Sequence, residues 1–288
     1  MAKSLVSVVV PCYNHEQFVE FAIRSIAAQD YPRVEIIFID DFSTDLSLEI
    51  AHQTLEQAEI GSKLEAIQVI RNERNLGAAR TINKGLSYAT GEYLAILNSD
   101  DLYGSSRLSR IITEMDSAHT GLGFSRVVPI DQTGARVAWD TLPETLWFLH
   151  NQDHIHSDFP AVSFGFFARN IAISTGNLVF TRKVWETAGP FRDLAYVHDY
   201  DFALAAILDC EPVYVPEDLY FYRLHTTNSF ASLSHRSELE MEIVFHRLAA
   251  RIAANKVKNT RAPTRRNWPE VVEMFRDRLG ILAMLYPD

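Results

Sequence analysis

The sequence has 288 residues and a formal net charge of −10, from 27 basic and 37 acidic side chains. This excess of acid argues against a general affinity for nucleic acid, whose backbone proteins hold with lysine and arginine. Hydrophobic residues make up 47% and charged residues 22%, as in ordinary globular domains with a sizeable core. Only two cysteines occur, Cys12 and Cys210, so no disulfide framework is expected and a cytoplasmic location is predicted. No apolar run reaches the length of a membrane span.

Predicted strands and helices alternate through the first 120 residues. The β-branched run Val6–Val10, closed by Pro11, predicts a first strand and not a signal peptide. Further strands are predicted at Val34–Ile39, Ala66–Ile70 and Tyr93–Leu97, with helices that begin near Asn14, Leu48 and Asn75. This alternation predicts a parallel doubly wound sheet. Polar clusters follow the strands, at the edge where open α/β sheets bind ligands.

Two adjacent carboxylates, Asp100 and Asp101, follow the apolar run Tyr93–Leu97. They repel each other unless a cation or a set of hydrogen-bond donors compensates their charge. Carboxylate ligands favour Mg²⁺ or Mn²⁺, and such ions usually arrive with a diphosphate. The alternative is that the pair only caps the helix predicted to begin near Ser105.

The second half of the chain is less regular. Leu122–Ile130 predicts a strand, and Asp131–Gly134 a hairpin turn. Residues 139 to 170 are rich in aromatic side chains and support no assignment. The remaining predicted elements are strands at Ile173–Phe180, Val213–Val215 and Leu219–Leu224, and helices at Lys183–Thr187, Asp199–Leu208 and Glu238–Ala254.

Four stretches share an order and spacing that is specific when taken together. They are Val8–Asn14 with Ala28–Pro32, Glu35–Asp45, Asn75–Asp101, and Thr187–Phe202. Together they resemble the inverting family-2 glycosyltransferases. The resemblance implies an α/β GT-A fold, with a mostly parallel doubly wound sheet and a C-terminal helical extension. It also implies a nucleotide-sugar-binding half at residues 1–130, an acceptor-binding and catalytic half at 131–232, and the extension at 233–288.

The resemblance also implies roles in nucleotide binding. Pro11, Tyr13 and Asp41 would line the base pocket, with Tyr13 stacking on the base and Asp41 accepting from its N–H. Arg80 resembles the nucleotide-contacting arginine, and Asp100 would meet the ribose or a water bound to the metal. The alternatives are a core aromatic for Tyr13 and a surface ion pair for Arg80. The neighbouring Asp40 is expected to fix the loop.

Metal binding and catalysis are implied for the remaining positions. Asp101 and His225 would bind Mn²⁺ or Mg²⁺, although Asn98 stands where the family often has a further aspartate. Asp199 resembles the catalytic base, and His198 stands where glutamate is usual. Structurally, Asp199 could instead be a carboxylate favoured by the helix dipole. Two further histidines, His154 and His156, are assigned to a solvated or acceptor-facing loop rather than to a metal site.

The predicted function is metal-dependent transfer of a sugar from a nucleoside diphosphate, expected to be UDP, to a hydroxyl with inversion. The acceptor would be a saccharide or a lipid-linked molecule in polysaccharide or glycoconjugate synthesis. The stretch Arg251–Arg266 holds six basic residues and no acid, and could touch the inner face of a membrane; a solvated loop is the simpler interpretation. A non-catalytic nucleotide-sugar-binding protein is an alternative. A nucleotidylyltransferase is less favoured, because Pro11–Asn14 is not a glycine-rich loop.

Overall fold

One mixed sheet organises the fold seen in the computed structural model, which describes residues 3–142, 146, 149, 152, 155, 159–225, 237–254 and 257–264. Its strands, among those residues, are β1 Val6–Cys12, β2 Val34–Asp40, β3 Ala66–Arg71, β4 Tyr93–Ile96, β5 Leu102–Tyr103, β6 Leu122–Ile130, β7 Val179–Thr181 and β8 Val213–Arg223. They lie in the order β3-β2-β1-β4-β7-β6-β8-β5. The helices are α1 Val19–Ala27, α2 Ser47–Leu55, α3 Ala58–Gly61, α4 Ala78–Tyr88, α5 Arg107–Ser117, α6 Val162–Ala168, α7 Arg182–Ala188, α8 His198–Ala206 and α9 Ser237–Ala253.

The first four strands form the parallel half of the sheet. Strand β1 pairs in parallel with β2 and β4, and β2 pairs in parallel with β3. All seven residues of β2 are buried, as expected for a strand covered on both faces. Cys12 lies opposite Asp40 in the register, so the loops after β1 and β2 emerge side by side. The prediction of a doubly wound parallel sheet in this half is confirmed.

The other half of the sheet mixes strand directions. Strand β7 runs antiparallel to both β4 and β6, while β6 and β8 are parallel to each other. A register shift in the β6–β8 pairing, at Ser125 and Arg126, lets β8 run unbroken from Val213 to Arg223. The prediction of two separate strands, at Val213–Val215 and Leu219–Leu224, was therefore wrong.

The predicted strand Ile173–Phe180 was also wrong. A short 3-10 helix occupies Thr175–Asn177, and only Val179–Thr181 pairs as a strand. The physical reason is that a side chain takes hydrogen bonds that a neighbouring strand would otherwise make. Asn177 Nδ2 donates to the backbone oxygens of Ser125 and Ala172, at 2.8 and 3.0 Å.

Apolar residues fill both faces of the sheet. One core contains Ile82 and Leu86 of α4 together with Phe202 of α8. The opposite core contains Ile23 of α1 and Ile111 of α5. The two cores hold the carboxyl ends of the parallel strands in one layer, which leaves the loops that follow them to form the site.

Asn14 and Gly91 both lie close to the end of a helix, but neither caps it. Asn14 does not cap α1, whose first turn begins after Phe18 with no side-chain cap; its Oδ1 instead accepts from the Thr44 N–H at 2.8 Å. Gly91 is not the C-cap of α4, since Ala89 holds that position. A Cβ atom at Gly91 would lie 2.6 Å from the Leu5 backbone oxygen, so glycine is needed there for close packing.

The basic stretch is described only in part. Arg251 donates to the backbone oxygens of Ala188 and Thr187, and Lys258 pairs with Asp209 at 3.2 Å. Arg265, Arg266, His154 and His156 lie outside the described residues, as does the loop at 226–229. Within the part of the chain that is described, no helix combines the length and apolar character needed to cross a membrane.

Candidate active site

Asp41, at the carboxyl end of β2, is a hydrogen-bond hub for the loop that precedes α4. Its Oδ1 accepts from the Asn72 side chain at 2.7 Å and from the Leu76 N–H at 2.8 Å, and its Oδ2 accepts from the Gly77 N–H at 2.9 Å. Only 4% of the residue is exposed. Oδ2 therefore keeps acceptor capacity for one further donor.

Tyr13 follows β1 directly and keeps 44% of its surface exposed, so it is not the core aromatic of the alternative interpretation. Pro11 lies in β1 and is half-buried. Asp40 is fully buried, accepts from the Ser43 N–H at 3.1 Å, and pairs with Arg71 at 3.3 Å. The structure therefore gives Asp40 the loop-fixing contacts that were expected of it and leaves the Tyr13 ring accessible.

Arg80 lies in the first turn of α4 and forms an exposed ion pair with Asp193. Asp193 belongs to the loop between α7 and α8, which leads to Asp199. The pair therefore joins the nucleotide side of the predicted site to the loop that leads to the predicted base. A direct contact between Arg80 and a nucleotide stays a prediction.

Three side chains converge beyond the end of β4. His225 Nε2 lies 2.9 Å from Asp100 Oδ2, and His15 Nε2 lies 3.9 Å from the same oxygen. One ligand atom from each of the three residues lies within 4.8 Å of the other two. His15 is held through Nδ1 by the Ser99 hydroxyl at 2.8 Å, and Phe18 packs beside the His225 ring at 4.9 Å between centroids. We call His15, Asp100 and His225 the cation cluster.

The electrostatics of Asp100 suit a ligand that stays ionised. Burial opposes ionisation, but the two imidazoles more than compensate, so the pKa of Asp100 lies below its ordinary value. Its side chain retains 14% exposure. Asp100 is therefore an accessible carboxylate, whereas sequence reasoning gave the metal role to Asp101.

Asp101 has a different environment. It is 1% exposed, its Oδ1 accepts from the Arg223 N–H at 2.8 Å, and its Oδ2 accepts from the Tyr220 hydroxyl and from Asn98. Burial and the charge of Asp100 hold the pKa of Asp101 well above its usual range. These contacts tie the end of β4 to β8. A metal-ligand role for Asp101 stays a prediction that its contacts do not favour.

Asp199 lies in the first turn of α8. Its Oδ1 accepts from the Tyr200 N–H at 2.7 Å, and its Oδ2 accepts from Asn170 Nδ2 at 2.9 Å. Burial raises the pKa of the carboxyl, and His198 offsets this only in part. His198 Nε2 is fixed by the Thr175 hydroxyl at 3.0 Å. The carboxylate is thus oriented by two donors, as a general base must be.

Asp201, two residues further along α8, is committed to ion pairs. Its carboxylate pairs with Arg247 of α9 and lies 3.9 Å from Arg192. Burial raises the pKa of Asp201 in spite of these arginines, but both of its oxygens are engaged by guanidinium groups and are not available to an acceptor hydroxyl. Between the two aspartates, the contacts therefore favour Asp199 as the base.

The Tyr222 hydroxyl is affected by the Asp100–Asp101 pair and by Asp199. Burial raises its pKa, and the charges of Asp101, Asp100 and Asp199 all act in the same direction. Burial and Asp199 similarly raise the pKa of Tyr196 to about 12. The charges of Asp100, in the cation cluster, and of Asp199 therefore both act on the Tyr222 hydroxyl. Sequence reasoning missed His15 and Tyr222, since neither has a local motif.

The comparisons with known proteins agree with this architecture. Residues 7–173 match the model of the family described as glycosyl transferase family 2. An uncharacterized glycosyltransferase of Haemophilus influenzae is 30% identical over 237 residues, which are 80% of this chain and 69% of that protein.

Solved structures give the same fold. TarS of S. aureus superposes with a TM-score of 0.65 at 19% identity, over 95% of this chain but 43% of the TarS chain. A shorter TarS structure, in complex with UDP-GlcNAc, matches with a TM-score of 0.63 at 20% identity, over 88% of this chain and 69% of that one. The mannosyltransferase PcManGT of Pyrobaculum calidifontis, in complex with GDP-Man and Mn²⁺, matches with a TM-score of 0.59 at 19% identity, over 99% of this chain and 70% of that one. The predicted GT-A-like fold is confirmed, and the chain is a member of glycosyltransferase family 2.

Proposed function

We propose that this protein transfers a sugar from UDP to an acceptor hydroxyl with inversion, with the help of a divalent cation. The observation that carries the proposal is the cation cluster, whose three ligand atoms lie within 4.8 Å of one another at the carboxyl end of β4. It lies where open α/β sheets bind ligands. Asp199, oriented by Asn170 and the Tyr200 N–H, supplies the basic group that direct displacement requires.

The donor set of the cation cluster fits Mn²⁺ better than Mg²⁺. Mg²⁺ prefers an all-oxygen octahedral shell, whereas His15 and His225 offer imidazole nitrogens, which suit transition metals. We propose His15, Asp100 and His225 as the protein ligands, and the presence of Mn²⁺ with PcManGT supports this choice. When bound, the cation neutralises the negative charge that grows on the departing diphosphate.

The nucleotide would lie across the loops that follow β1 and β2. Tyr13 offers an exposed ring for stacking, and Asp41 Oδ2 has capacity to accept from the base N–H. Arg80 would reach the nucleotide from α4 if the Asp193 pair opens, since both side chains are more than half exposed. The UDP-GlcNAc bound to TarS supports a uridine nucleotide here.

The acceptor hydroxyl would approach from the side of Asp199. The buried carboxylate takes the hydroxyl proton on one of its oxygens as the new glycosidic bond forms, so no covalent sugar–enzyme intermediate is required. Its raised pKa strengthens it as a base at neutral pH. A saccharide or a lipid-linked acceptor would each fit this scheme. Contact between the basic stretch and the inner face of a membrane stays a prediction.

A donor screen tests the proposal. Purified protein is incubated with UDP-, GDP-, dTDP- and CMP-linked sugars in Mn²⁺, in Mg²⁺ and in EDTA, and release of the nucleotide is measured with and without a mixed acceptor library. We expect UDP-sugars and Mn²⁺ to give the highest rate. UDP binding without hydrolysis or transfer would favour the non-catalytic binding protein. Release of pyrophosphate from sugar phosphate and UTP would favour a nucleotidylyltransferase.

A further inference from the structure

Phe42 adopts a backbone conformation that bulky residues avoid. Its φ angle is +67°, in the left-handed region that glycine enters without steric cost. Phe42 follows Asp41 directly, at the carboxyl end of β2. Burial of the ring does not compensate this strain, because 42% of the residue remains exposed. Burial in the core therefore does not explain phenylalanine at this position.

The loop that carries Phe42 is held rigidly against the loop that carries Tyr13. The Asn14 N–H donates to the Ser43 hydroxyl at 3.0 Å, and the Thr44 N–H donates to the Asn14 side chain at 2.8 Å. The register places Cys12 opposite Asp40. Tyr13 and Phe42 therefore leave neighbouring strands one residue apart in register, and both rings are exposed.

Arg71 restrains the Phe42 ring from one side. Its guanidinium carbon lies 5.3 Å from the ring centroid, and the same group pairs with Asp40 at 3.3 Å and donates to the Ser43 backbone oxygen at 3.1 Å. The ring is thus positioned before any ligand arrives. Exposed aromatic rings on a rigid support bind planar bases at a low entropic cost, because every base offers a π face.

We propose that Phe42 is a base-contacting residue that forms a second aromatic wall of the nucleotide pocket, opposite or beside Tyr13. This inference rests on the proposed nucleotide-sugar function, and assigns to Phe42 a second contact with the uracil ring of the donor, in addition to that of Tyr13. Strain at Phe42 is retained because the ring strengthens nucleotide binding, which is a common reason for backbone strain at a binding site.

Three variants test the role of the ring. Phe42→Gly removes the ring and relieves the backbone, Phe42→Tyr keeps the ring, and Phe21→Ala removes a 53% exposed aromatic of α1 as a control. Calorimetry measures the Kd of UDP and of inorganic pyrophosphate in Mn²⁺, and thermal unfolding gives the Tm. We expect Phe42→Gly to weaken UDP binding by about 5-fold to 100-fold, while the affinity for pyrophosphate is unchanged and the Tm is equal or higher.

The outcomes distinguish the contribution of the Phe42 ring to UDP binding from that of the rest of the site. Phe42→Tyr and Phe21→Ala should bind UDP like the wild type. UDP affinity within about twofold of the wild type in Phe42→Gly, or a parallel loss of pyrophosphate binding with a lower Tm, would overturn the inference. Wild-type protein that binds GDP in place of UDP would refute the proposed donor, and the same variants measured with GDP would still decide the role of the ring.

Discussion

The Nε2 atom of His225 lies 2.9 Å from the Oδ2 atom of Asp100, although 125 residues separate them in the chain. Strand β8 brings the histidine to the end of β4, and the His15 ring completes the cluster from the loop after β1. Two imidazoles beside one carboxylate form a compact set of donors for a divalent cation.

Nucleotide binding should depend on the cation. We expect the affinity for UDP to be at least about tenfold higher in Mn²⁺ than in EDTA, because Asp100 otherwise repels the diphosphate. Calorimetry in the two buffers measures this. His15→Gln should lower the Mn²⁺ affinity, since it removes a proposed ligand. Equal UDP affinity in both buffers would remove the cation from the mechanism.

Asp100 and Asp101 should differ in their effect on metal binding. Asp100→Asn should weaken Mn²⁺ binding by at least about tenfold, because it removes the accessible carboxylate of the cation cluster. Asp101→Asn should keep most of the Mn²⁺ affinity, since both Asp101 oxygens are occupied by Tyr220, Arg223 and Asn98. Mn²⁺ titration followed by electron paramagnetic resonance measures both, with thermal unfolding as the check on folding. The reverse pattern would return the ligand role to Asp101.

Asp41→Asn should affect both the fold and the nucleotide. The introduced amide cannot accept from all of the donors that Asp41 now satisfies, which include the Leu76 and Gly77 N–H groups. We expect UDP binding and the free energy of unfolding each to fall by about 1–3 kcal/mol. Asp30→Asn, at an exposed position before β2, serves as the control. Unchanged UDP affinity in a folded Asp41→Asn protein would place the base pocket elsewhere.

Asp199→Asn should separate chemistry from binding and from stability. Loss of a positioned base costs about 10²–10⁴-fold in transfer rate, while UDP affinity should stay close to the wild-type value. The Tm should not fall at pH 7. Burial penalises the charged form of Asp199, and Asn170 Oδ1, which has no hydrogen-bond partner among the described residues, can accept from the new amide after a flip. Transfer at near wild-type rate would make Asp199 structural and Asp201 the next candidate.

The transfer rate should fall with acid at an unusually high pH for an aspartate. Protonation of the Asp199 carboxylate removes the base. Because burial raises the pKa of Asp199, this protonation occurs at a higher pH than in an ordinary aspartate, whose pKa is about 3.9. His198 lowers this pKa while it is protonated, so His198→Gln should move the acid limb to still higher pH. Tyr196 and Tyr222 face the same carboxyl and stay neutral in this range. The pH profile of kcat measures the limb, and an identical profile in His198→Gln would exclude this coupling.

The same shift has a consequence for stability. A carboxyl whose pKa is raised by folding stabilises the native state in acid and loses that contribution as the pH rises through its native pKa. Wild-type protein should therefore lose stability relative to Asp199→Asn between mildly acidic and neutral pH. Tm measurements of the two proteins across that range test the sign.

The sequence by itself determined the parallel half of the sheet and the family. Short apolar runs such as Val6–Val10 predict strands from local sequence alone. The polar residues that follow these runs lie at the carboxyl edge of the sheet, because parallel strands all end at that edge. Asp41 and Asp199 could be singled out because each lies in a contiguous stretch that resembles a motif of the family.

Only the tertiary structure decided which side chains meet. The choice between Asp100 and Asp101 depends on which way each carboxylate points after β4 ends, and β8 captures Asp101 through Tyr220 and the Arg223 N–H. His15 carries no local signal of metal binding, because its partners come from β4 and β8. The strand predicted at Ile173–Phe180 does not form, because the Asn177 side chain donates to the backbone oxygen of Ser125, which is distant in the sequence. Such contacts are non-local, and a local pattern of apolar and polar residues does not encode them.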